Sequence, residues 1–412
     1  MDNNEKMFVE DADLTKPNKK KFLKIFSIIA YIVVFALGYQ AATITYNRNF
    51  GSVPGLTINK LNKMEEIINK NYYKSYDKGK LYDFVESVMV YGLEDPFSYY
   101  LDKESQTDFA ETIEGKYVGV GLTLTPSESG EILIIAPFDG SPAQEAGIIK
   151  NDIITKVNGQ EFLYSDVDKA VEIMKGKEGE TVDLEIKREG VENFTVTLTK
   201  AEIIYQSVTS EEIDEDTVYL RISRFDVNTY KDFLGELNKY EPDENTNLII
   251  DLRDNPGGTV LTSVAIADLF IDKGIIITEK YRNKKDVKEE ATDGHINVKY
   301  PVTVLTNSSS ASASEILAGA LKDHKKAFLI GEKTFGKGLI NQQFKIDSES
   351  SIVLSVAEYL TPNGTSIHKV GIEPDMEVKM DLKKSIMTLE KEEDIQLQKA
   401  IERINELKTG EE

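Results

Sequence analysis

Apolar residues recur at helical spacing in the part of the chain that follows Pro54. Residues three and four apart lie on one face of an α-helix, so each set of this kind predicts a helix with an apolar face. We expect two such helices within an N-terminal helical segment, residues 57–112. The apolar positions are Ile58, Leu61, Met64, Ile67 and Ile68 in the first, and Leu81, Phe84, Val85, Val88 and Met89 in the second.

Residues 113–200 contain short runs of alternating apolar and polar positions, which are typical of half-buried β-strands. An Asn158-Gly159 pair predicts a tight turn between two of the strands. The pattern favours a small, mostly β domain with a short helix that starts within Ser141–Ile148 and a second helix over Val167–Met174. Strands are expected at Asp152–Val157, Thr181–Lys187 and Phe194–Leu198.

From residue 201 to 391 the apolar runs and the helical patterns alternate, which predicts an α/β core. A charged C-terminal helix, Glu393–Leu407, is predicted within residues 392–412. The predicted strands of the core are Val218–Ile222, Leu248–Arg253, Val302–Leu305, Ala327–Ile330 and Leu354–Leu360. The predicted helices are Val227–Leu237, Val260–Leu269 and the segment that carries Ile316, Leu317, Ala320 and Leu321.

A 20-residue, mostly apolar span, Ile25–Ile44, is long enough to cross a bilayer. Five lysines lie between positions 16 and 24, and positive charge beside a span places that side in the cytoplasm. We therefore expect a cytoplasmic tail at 1–24, a retained transmembrane helix at 25–44 and an extracytoplasmic remainder. A cleavable signal peptide is the alternative, although its apolar core is normally shorter and a clean cleavage site is lacking. A buried core helix would not follow such a run of lysines.

Composition excludes several classes of function. The chain of 412 residues has no cysteine, which rules out disulfides, thiol catalysis and cysteine-based zinc sites. With three histidines, a multi-histidine metal cluster is not expected, and we predict neither a metal nor a cofactor. The net charge of −22 argues against general nucleic-acid binding, which needs a basic surface.

A hydroxyl and an amine are the reactive groups of the stretch between Asn307 and Asn341. Serines precede a predicted helix, and Lys337 follows the next predicted strand, so both can meet at one edge of a sheet. A lysine can take a proton from serine when it is neutral, and burial beside apolar groups such as Phe335 would lower its pKa. A helix N-terminus also favours developing negative charge. A serine-rich helix cap followed by an exposed lysine is the ordinary alternative.

Two blocks in this stretch resemble the C-terminal processing peptidases, a family of Ser/Lys-dyad serine proteases. The blocks read Ser-Ala-Ser-Ala-Ser-Glu-Ile from Ser310 and Gly-Glu-Lys-Thr-Phe-Gly-Lys-Gly from Gly331. The resemblance implies that Ser312 is the nucleophile and Lys337 the general base. The position four residues after the lysine, usually a Gln that orients it, is Asn341 here.

The same resemblance extends to the Asp251-Leu252-Arg253-Asp254-Asn255-Pro256-Gly257-Gly258 turn. In the family this turn supplies a backbone N–H to the oxyanion hole, which implies Gly258, together with Ala313 after the nucleophile. Near the amino end, Leu93-Glu94-Asp95-Pro96-Phe97-Ser98-Tyr99-Tyr100-Leu101 is similar to a family turn, with Phe97 where His is usual. The resemblance covers about residues 57–405.

Residues 113–200 resemble a PDZ domain, a module that adds a chain's C-terminus to its sheet as a strand. By position the terminal carboxylate would be held by Tyr117, Val118, Gly119, Val120, Gly121 and Leu122. A β-domain that serves only as a spacer is the alternative. Expected partners are therefore protein substrates with apolar C-terminal tails, with a homo-oligomer or an activating partner as further expectations.

The predicted fold is thus α/β and β, with a transmembrane helix, a helical segment, a PDZ-like domain and a Clp/crotonase-like α/β protease core. The predicted function is a membrane-anchored extracytoplasmic serine endopeptidase. A catalytically silent PDZ adaptor that binds C-termini is the alternative of a different class. A crotonase-type acyl-CoA enzyme is disfavoured because no CoA-phosphate signal is present. A Ser-His-Asp hydrolase is disfavoured because His324 lies about three helical turns from Ser312.

Overall fold

The computed structural model describes residues 55–410, apart from 128, 139, 293, 295, 297, 381–388 and 390. The predicted transmembrane span and cytoplasmic tail lie outside these residues. Among the described helices, none has both the length and the apolar character needed to cross a bilayer. The described residues divide into two compact units, with the boundary between Lys80 and Leu81.

Both predicted N-terminal helices are present, as α1 (Gly55–Asn71) and α2 (Lys78–Tyr91). The periodic apolar residues of α1 are largely exposed, with Met64 57% and Ile67 51% accessible. The amphipathic pattern therefore predicted the helix correctly, although its apolar face is not buried in this chain. A short strand β1 (Tyr99–Leu101) and helix α3 (Lys103–Glu114) follow, and the Asp102 carboxylate caps α3 by accepting from the Ser105 N–H.

A six-stranded antiparallel sheet forms most of the PDZ-like region. Its strand Thr181–Lys187 alternates as predicted, with Val182, Leu184 and Ile186 buried against helix Val167–Met174. The region comprises β2 (Lys116–Gly119), β3 (Leu122–Pro126), β4 (Ile132–Pro137), α4 (Pro142–Glu145), β5 (Ile153–Val157), β6 (Gln160–Glu161), α5 (Val167–Met174), β7 (Thr181–Lys187) and β8 (Phe194–Thr199). The order in the sheet is β3-β4-β5-β7-β8, with β6 on β5, while β2 pairs with β9 (Ala201–Ile204).

The α/β core contains a second six-stranded sheet, ordered β10-β11-β12-β15-β16-β19. All its pairs are parallel except β10 with β11. Every residue of β12 and β15 is buried because helices cover both faces, which explains their continuous apolar sequence. The strands are β10 (Val208–Asp214), β11 (Thr217–Ile222), β12 (Asn247–Asp251), β15 (Val302–Thr306), β16 (Ala327–Gly331) and β19 (Met376–Glu377).

The helices of this core lie close to their predicted positions. Helix α6 begins two residues later than predicted, because the turn before it is closed by a bond from the Asp226 N–H to Thr229 Oγ1. The C-terminal helix packs on one face of the sheet through Leu397, Ala400 and Ile404. The helices are α6 (Thr229–Asn238), α7 (Val260–Asp268), α8 (Ala313–Asp323) and α9 (Ile395–Thr409).

A third sheet joins the N-terminal segment to the core, because β1 pairs with β18. The order is β1-β18-β13-β14, with β17 paired to β18. The Ser98 hydroxyl adds a further link by accepting from the Ser355 N–H at 3.0 Å. The strands are β13 (Gly274–Tyr281), β14 (Val287–Ala291), β17 (Leu339–Lys345) and β18 (Ser351–Leu360). This pairing places the turn at Asp95–Ser98 at the edge of the α/β core.

Candidate active site

The turn after β12 and the serine-rich stretch after β15 lie side by side, because the two strands are parallel neighbours. The Ser310 hydroxyl donates to the Leu252 carbonyl at 2.8 Å, and the Ser314 hydroxyl donates to the Asn255 carbonyl at 3.0 Å. These two buried serines thus fasten the stretch to the turn. Ser312, between them, instead lines an open cleft.

Ser312 immediately precedes the first residue of α8 and has φ +56° and ψ −114°. A non-glycine residue rarely adopts such a conformation, and strain of this kind persists where the surrounding structure enforces it. Its carbonyl accepts from the Tyr359 hydroxyl at 2.9 Å, and its residue surface is 7% exposed. The backbone is therefore held while the hydroxyl reaches the cleft at a helix N-terminus.

Lys337 lines the same cleft, and its pKa is lowered mainly because burial disfavours the ammonium. The charges of Asp95 and Glu315 oppose this effect and raise the pKa. The apolar neighbour of Lys337 Nζ is the ring of Phe97, with its centroid 5.0 Å away. The predicted neighbour Phe335 is 56% exposed and packs edge-on against Phe97. Among the described contacts, no hydrogen bond joins Lys337 Nζ to the Ser312 hydroxyl.

Glu315 links the two sequence blocks, a role that the sequence reasoning missed. Its carboxylate is fully buried and accepts four hydrogen bonds. Oε2 accepts from the Ser312 N–H at 2.9 Å and from the Lys337 N–H at 2.8 Å. Oε1 accepts from the Thr334 hydroxyl and the Gly336 N–H. The available signal was a capping pattern, Ser followed three residues later by Glu at a helix start.

Asn341 lines the cleft with Ser312 and Lys337 and lies at a register shift in the β17–β18 pair. Its Nδ2 donates to the Phe97 carbonyl at 2.6 Å. Its Oδ1 is buried and accepts no hydrogen bond from the described residues. The two departures from the family pattern, Phe97 and Asn341, are therefore in direct contact beside Lys337.

The two glycines of the turn, Gly257 and Gly258, differ in their hydrogen bonds. The Gly257 N–H donates to Asn255 Oδ1 at 2.9 Å, whereas the N–H groups of Gly258 and Ala313 donate to no described residue. A side chain on Gly257 would meet Ser312 Cβ at 2.8 Å, and one on Gly258 would overlap the Phe225 carbonyl oxygen. Glycine at position 257 lets the turn approach Ser312 closely, and glycine at position 258 lets it pack against Phe225.

These residues border a cleft of about 910 Å³. Much of the wall is apolar, and it includes Phe109, Ile113, Val260, Leu339 and Val353. Within the part of the chain that the structure describes, no group of His, Asp and Glu side chains is arranged to hold a metal ion. The cleft can therefore hold an apolar peptide segment against a serine, a partly buried amine and two unpaired backbone N–H groups.

A second cavity of about 500 Å³ lies between β3 and α5, and two of the six predicted peptide-binding residues line it. Tyr117 and Leu122 line it, while Val120 is buried. The N–H groups of Val120 and Gly121 donate to no described residue, and Tyr117, Val118 and Gly119 pair with β9. Gly121 has φ +77°, and a side chain there would overlap Ser141. The loop thus presents unpaired N–H groups on a backbone that requires glycine.

Comparison with family models divides the chain into three matched regions. Residues 216–378 match peptidase family S41, and residues 135–188 match a PDZ domain. Residues 39–105 match the activating protease CtpB N-terminal domain. The catalytic core, the PDZ-like region and the helical segment therefore each have a counterpart among known proteins.

Curated relatives match over most of their length. The carboxy-terminal processing protease CtpA of Bacillus subtilis is 36% identical over 367 residues, covering 88% of this chain and 78% of CtpA. CtpB of the same organism is 35% identical and covers 82% of this chain and 72% of CtpB. A solved structure from Bacteroides fragilis, described as an S41 protease, matches with a TM-score of 0.54 at 18% identity, covering 82% of this chain and 92% of that one.

Proposed function

Because the chain belongs to peptidase family S41, whose members are serine-type peptidases, we propose that it cuts peptide bonds with a Ser312–Lys337 dyad. We further propose that the PDZ domain recognises the C-terminal tails of protein substrates. In this proposal residues 25–44 anchor the protein in the cell membrane, with residues 1–24 in the cytoplasm and the catalytic part outside.

The observation that carries the proposal is the shared carboxylate of Glu315. It binds the backbone of Ser312 and of Lys337 at once, so two residues 25 positions apart are fixed on one cleft wall. The lowered pKa of Lys337 increases the neutral fraction that a general base needs. Glu315 is a positioning residue in this scheme, since its oxygens face backbone N–H groups.

The proposed reaction begins when Lys337 Nζ takes the Ser312 proton and the hydroxyl oxygen attacks the scissile carbonyl. The N–H groups of Gly258 and Ala313 are unpaired and would stabilise the oxyanion. The protonated Lys337 then gives its proton to the leaving amine, and water releases the acyl group by the same route. Because Nζ and Oγ are not hydrogen-bonded in this structure, we expect substrate binding to bring them together.

The dyad is tested with Ser312→Ala and Lys337→Ala in the full chain. Each should lower cleavage by about 1,000-fold or more, and the double variant should resemble either single one because the two residues act as a unit. New C-termini in candidate substrate proteins are mapped by mass spectrometry. Ser309→Ala and Lys333→Ala are matched controls, since Ser309 is exposed and Lys333 pairs with Glu373. Substantial cleavage by Lys337→Ala near neutral pH would refute the assignment of the base.

A further inference from the structure

The catalytic cleft and the PDZ groove share part of their walls. Four residues line both cavities: Thr112, Tyr205, Ser223 and Arg224. We call these four residues the seam. A substrate held in the groove and cut at Ser312 has to pass the seam or end at it. Side chains of the seam can therefore select substrates.

Arg224 carries the unneutralised positive charge of the seam. Its guanidinium forms no ion pair and no hydrogen bond with any described residue. In contrast, the guanidinium groups of Arg188, Arg221 and Arg253 are each paired with a carboxylate. A half-buried arginine without a carboxylate is a free donor for an anion brought by a ligand.

The surroundings of Arg224 strengthen this contrast. Among the described residues that line the cleft, the charged side chains are Arg224 and Lys337, and no acid is present. In the groove, Lys116 pairs with Glu202, Lys175 pairs with Glu111, and Arg221 pairs with Asp251. The basic groups around Arg224 are thus already neutralised by this chain.

The ring of Tyr205 holds the guanidinium in place, with Arg224 Cζ 3.4 Å from the ring centroid. Tyr205 is itself packed edge-on against Phe138, with the centroids 5.3 Å apart. A stacked guanidinium keeps its N–H edge available and is already ordered before a ligand arrives, which favours bidentate binding of a carboxylate.

We propose that Arg224 is a specificity-determining residue that binds a carboxylate of the substrate at the seam. This inference rests on the proposed function, in which a substrate tail occupies the groove while Ser312 cuts. The carboxylate has two sources, the free C-terminus of the tail or an Asp or Glu side chain between that end and the scissile bond. In both cases the guanidinium donates two hydrogen bonds to the carboxylate oxygens.

The test uses the full chain and two synthetic libraries of 14-residue peptides with an apolar last residue and randomised internal positions. One library has a free C-terminus and the other an amidated C-terminus. Products are mapped by mass spectrometry. If the source is a side chain, Asp or Glu is enriched at a fixed position in both libraries. If the source is the terminus, the free library is cut faster than the amidated one, and Arg224→Gln reduces that difference.

Arg224→Gln should slow cleavage of the preferred, carboxylate-bearing peptides more than cleavage of neutral, amidated peptides. We expect the ratio of the two rates to fall by about 10- to 100-fold, which is the contribution of a charge-assisted hydrogen bond. Tyr205→Phe should keep the preference, and Tyr205→Ala should weaken it. Arg282→Gln, an exposed arginine that lines neither cavity, is the matched control. An unchanged preference in Arg224→Gln, or no carboxylate preference in the parent, would overturn the inference.

Failure of the proposed function has a different signature. If the parent cuts neither library, or if Ser312→Ala cuts both, the dyad assignment is wrong. The same peptides, labelled for fluorescence anisotropy, then decide the role of Arg224 by binding alone. The Ser312→Ala chain should prefer the carboxylate-bearing peptides, and the Ser312→Ala, Arg224→Gln chain should show a weaker preference.

Discussion

Lys337 is surrounded by groups that shift its pKa in opposite directions. Burial lowers it, and the negative charges of Asp95 and Glu315 raise it. Since the base must be neutral, the rate of cleavage should rise with pH through the pKa of Lys337, which lies below the ordinary lysine value. In the proposed mechanism, the balance of these effects on the pKa of Lys337 therefore sets the pH range in which the enzyme cuts.

Asp95→Asn should move the rising limb of the kcat/KM profile to lower pH. The substitution removes a negative charge that stabilises the ammonium, so the pKa of Lys337 falls and more of it is neutral at a given pH. Asparagine keeps one of the two oxygens, so it can still accept from the Phe97 N–H as Oδ1 does, and its Nδ2 replaces the Oδ2 that accepts from the Ser98 hydroxyl. Asp243→Asn, at an exposed loop, should leave the limb in place. A limb that stays fixed or moves to higher pH in Asp95→Asn contradicts this account.

Asn341 raises a separate question, because its Nδ2 binds the Phe97 carbonyl and its Oδ1 is left without a described partner. We expect Oδ1 to accept from Lys337 Nζ during catalysis. Asn341→Gln should then leave basal cleavage unchanged or raise it. Asn341→Ala should lower kcat by about 10- to 100-fold, as a misplacement near 1 Å can do.

Steady-state cleavage of one fixed peptide gives the comparison for Asn341. The control is Gln342→Ala, which replaces the next residue along the strand. If Gln342 orients Lys337 instead of Asn341, Gln342→Ala should be the slower of the two variants. If Asn341→Ala is as fast as the parent, Asn341 does not orient the lysine.

At the scale of secondary-structure elements, the C-terminal helix α9 is tied to the strand that precedes the glycine turn. The Asp394 carboxylate accepts from both terminal nitrogens of the fully buried Arg253, at 2.8 and 2.7 Å. Arg253 also binds Asp251, at the end of β12. Burial would raise the pKa of Asp251, but the charges of Arg253 and Arg221 outweigh it and hold the pKa at about 2.

Asp394→Asn should lower the free energy of unfolding by about 3–5 kcal/mol, because it leaves an uncompensated positive charge in a buried cluster. The Asn side chain can still accept from the Leu397 N–H and cap α9, so the effect reports the charge. Denaturant titration of the full chain gives the measurement, and the exposed Asp243→Asn is the control. A loss below about 1 kcal/mol would mean that the cluster contributes little to stability.

At the scale of the whole molecule, charge is distributed unevenly between the amino end and the rest. The net charge is −22, yet the five lysines between positions 16 and 24 immediately precede the apolar span 25–44. This asymmetry is the basis for the proposed membrane anchor, in which the acidic catalytic part lies outside the cell.

Deleting residues 1–46 should move the protein from the alkali-washed membrane pellet to the soluble fraction. The span is long enough to account for insertion on its own. Cleavage of a soluble peptide should persist, because the dyad residues lie in another part of the chain. The full chain in the soluble fraction, or the deletion variant in the washed pellet, would argue against the anchor.

The sequence alone predicted five strands and three helices of the core close to their observed positions, but not the strands β10, β13, β14, β17 and β19. Buried parallel strands such as Val302–Thr306 need continuous apolar residues, and α5 matches its predicted bounds, Val167–Met174. The sequence also indicated the proposed reactive pair, because Ser312 and Lys337 stand in two recognisable blocks. Each of these signals is local, since it depends on neighbouring positions along one strand, helix or turn.

Only the tertiary structure decided which distant groups meet. The pairing of β1 with β18 brings Phe97 beside Lys337 and Asn341. The buried carboxylate of Glu315 joins residues on two sequence blocks, and the unpaired Arg224 lies where two cavities meet. A sequence pattern records which face of an element is apolar, but contacts between elements depend on how sheets and loops close in three dimensions. The groups that would tune the lysine and select the substrate are all contacts of this second kind.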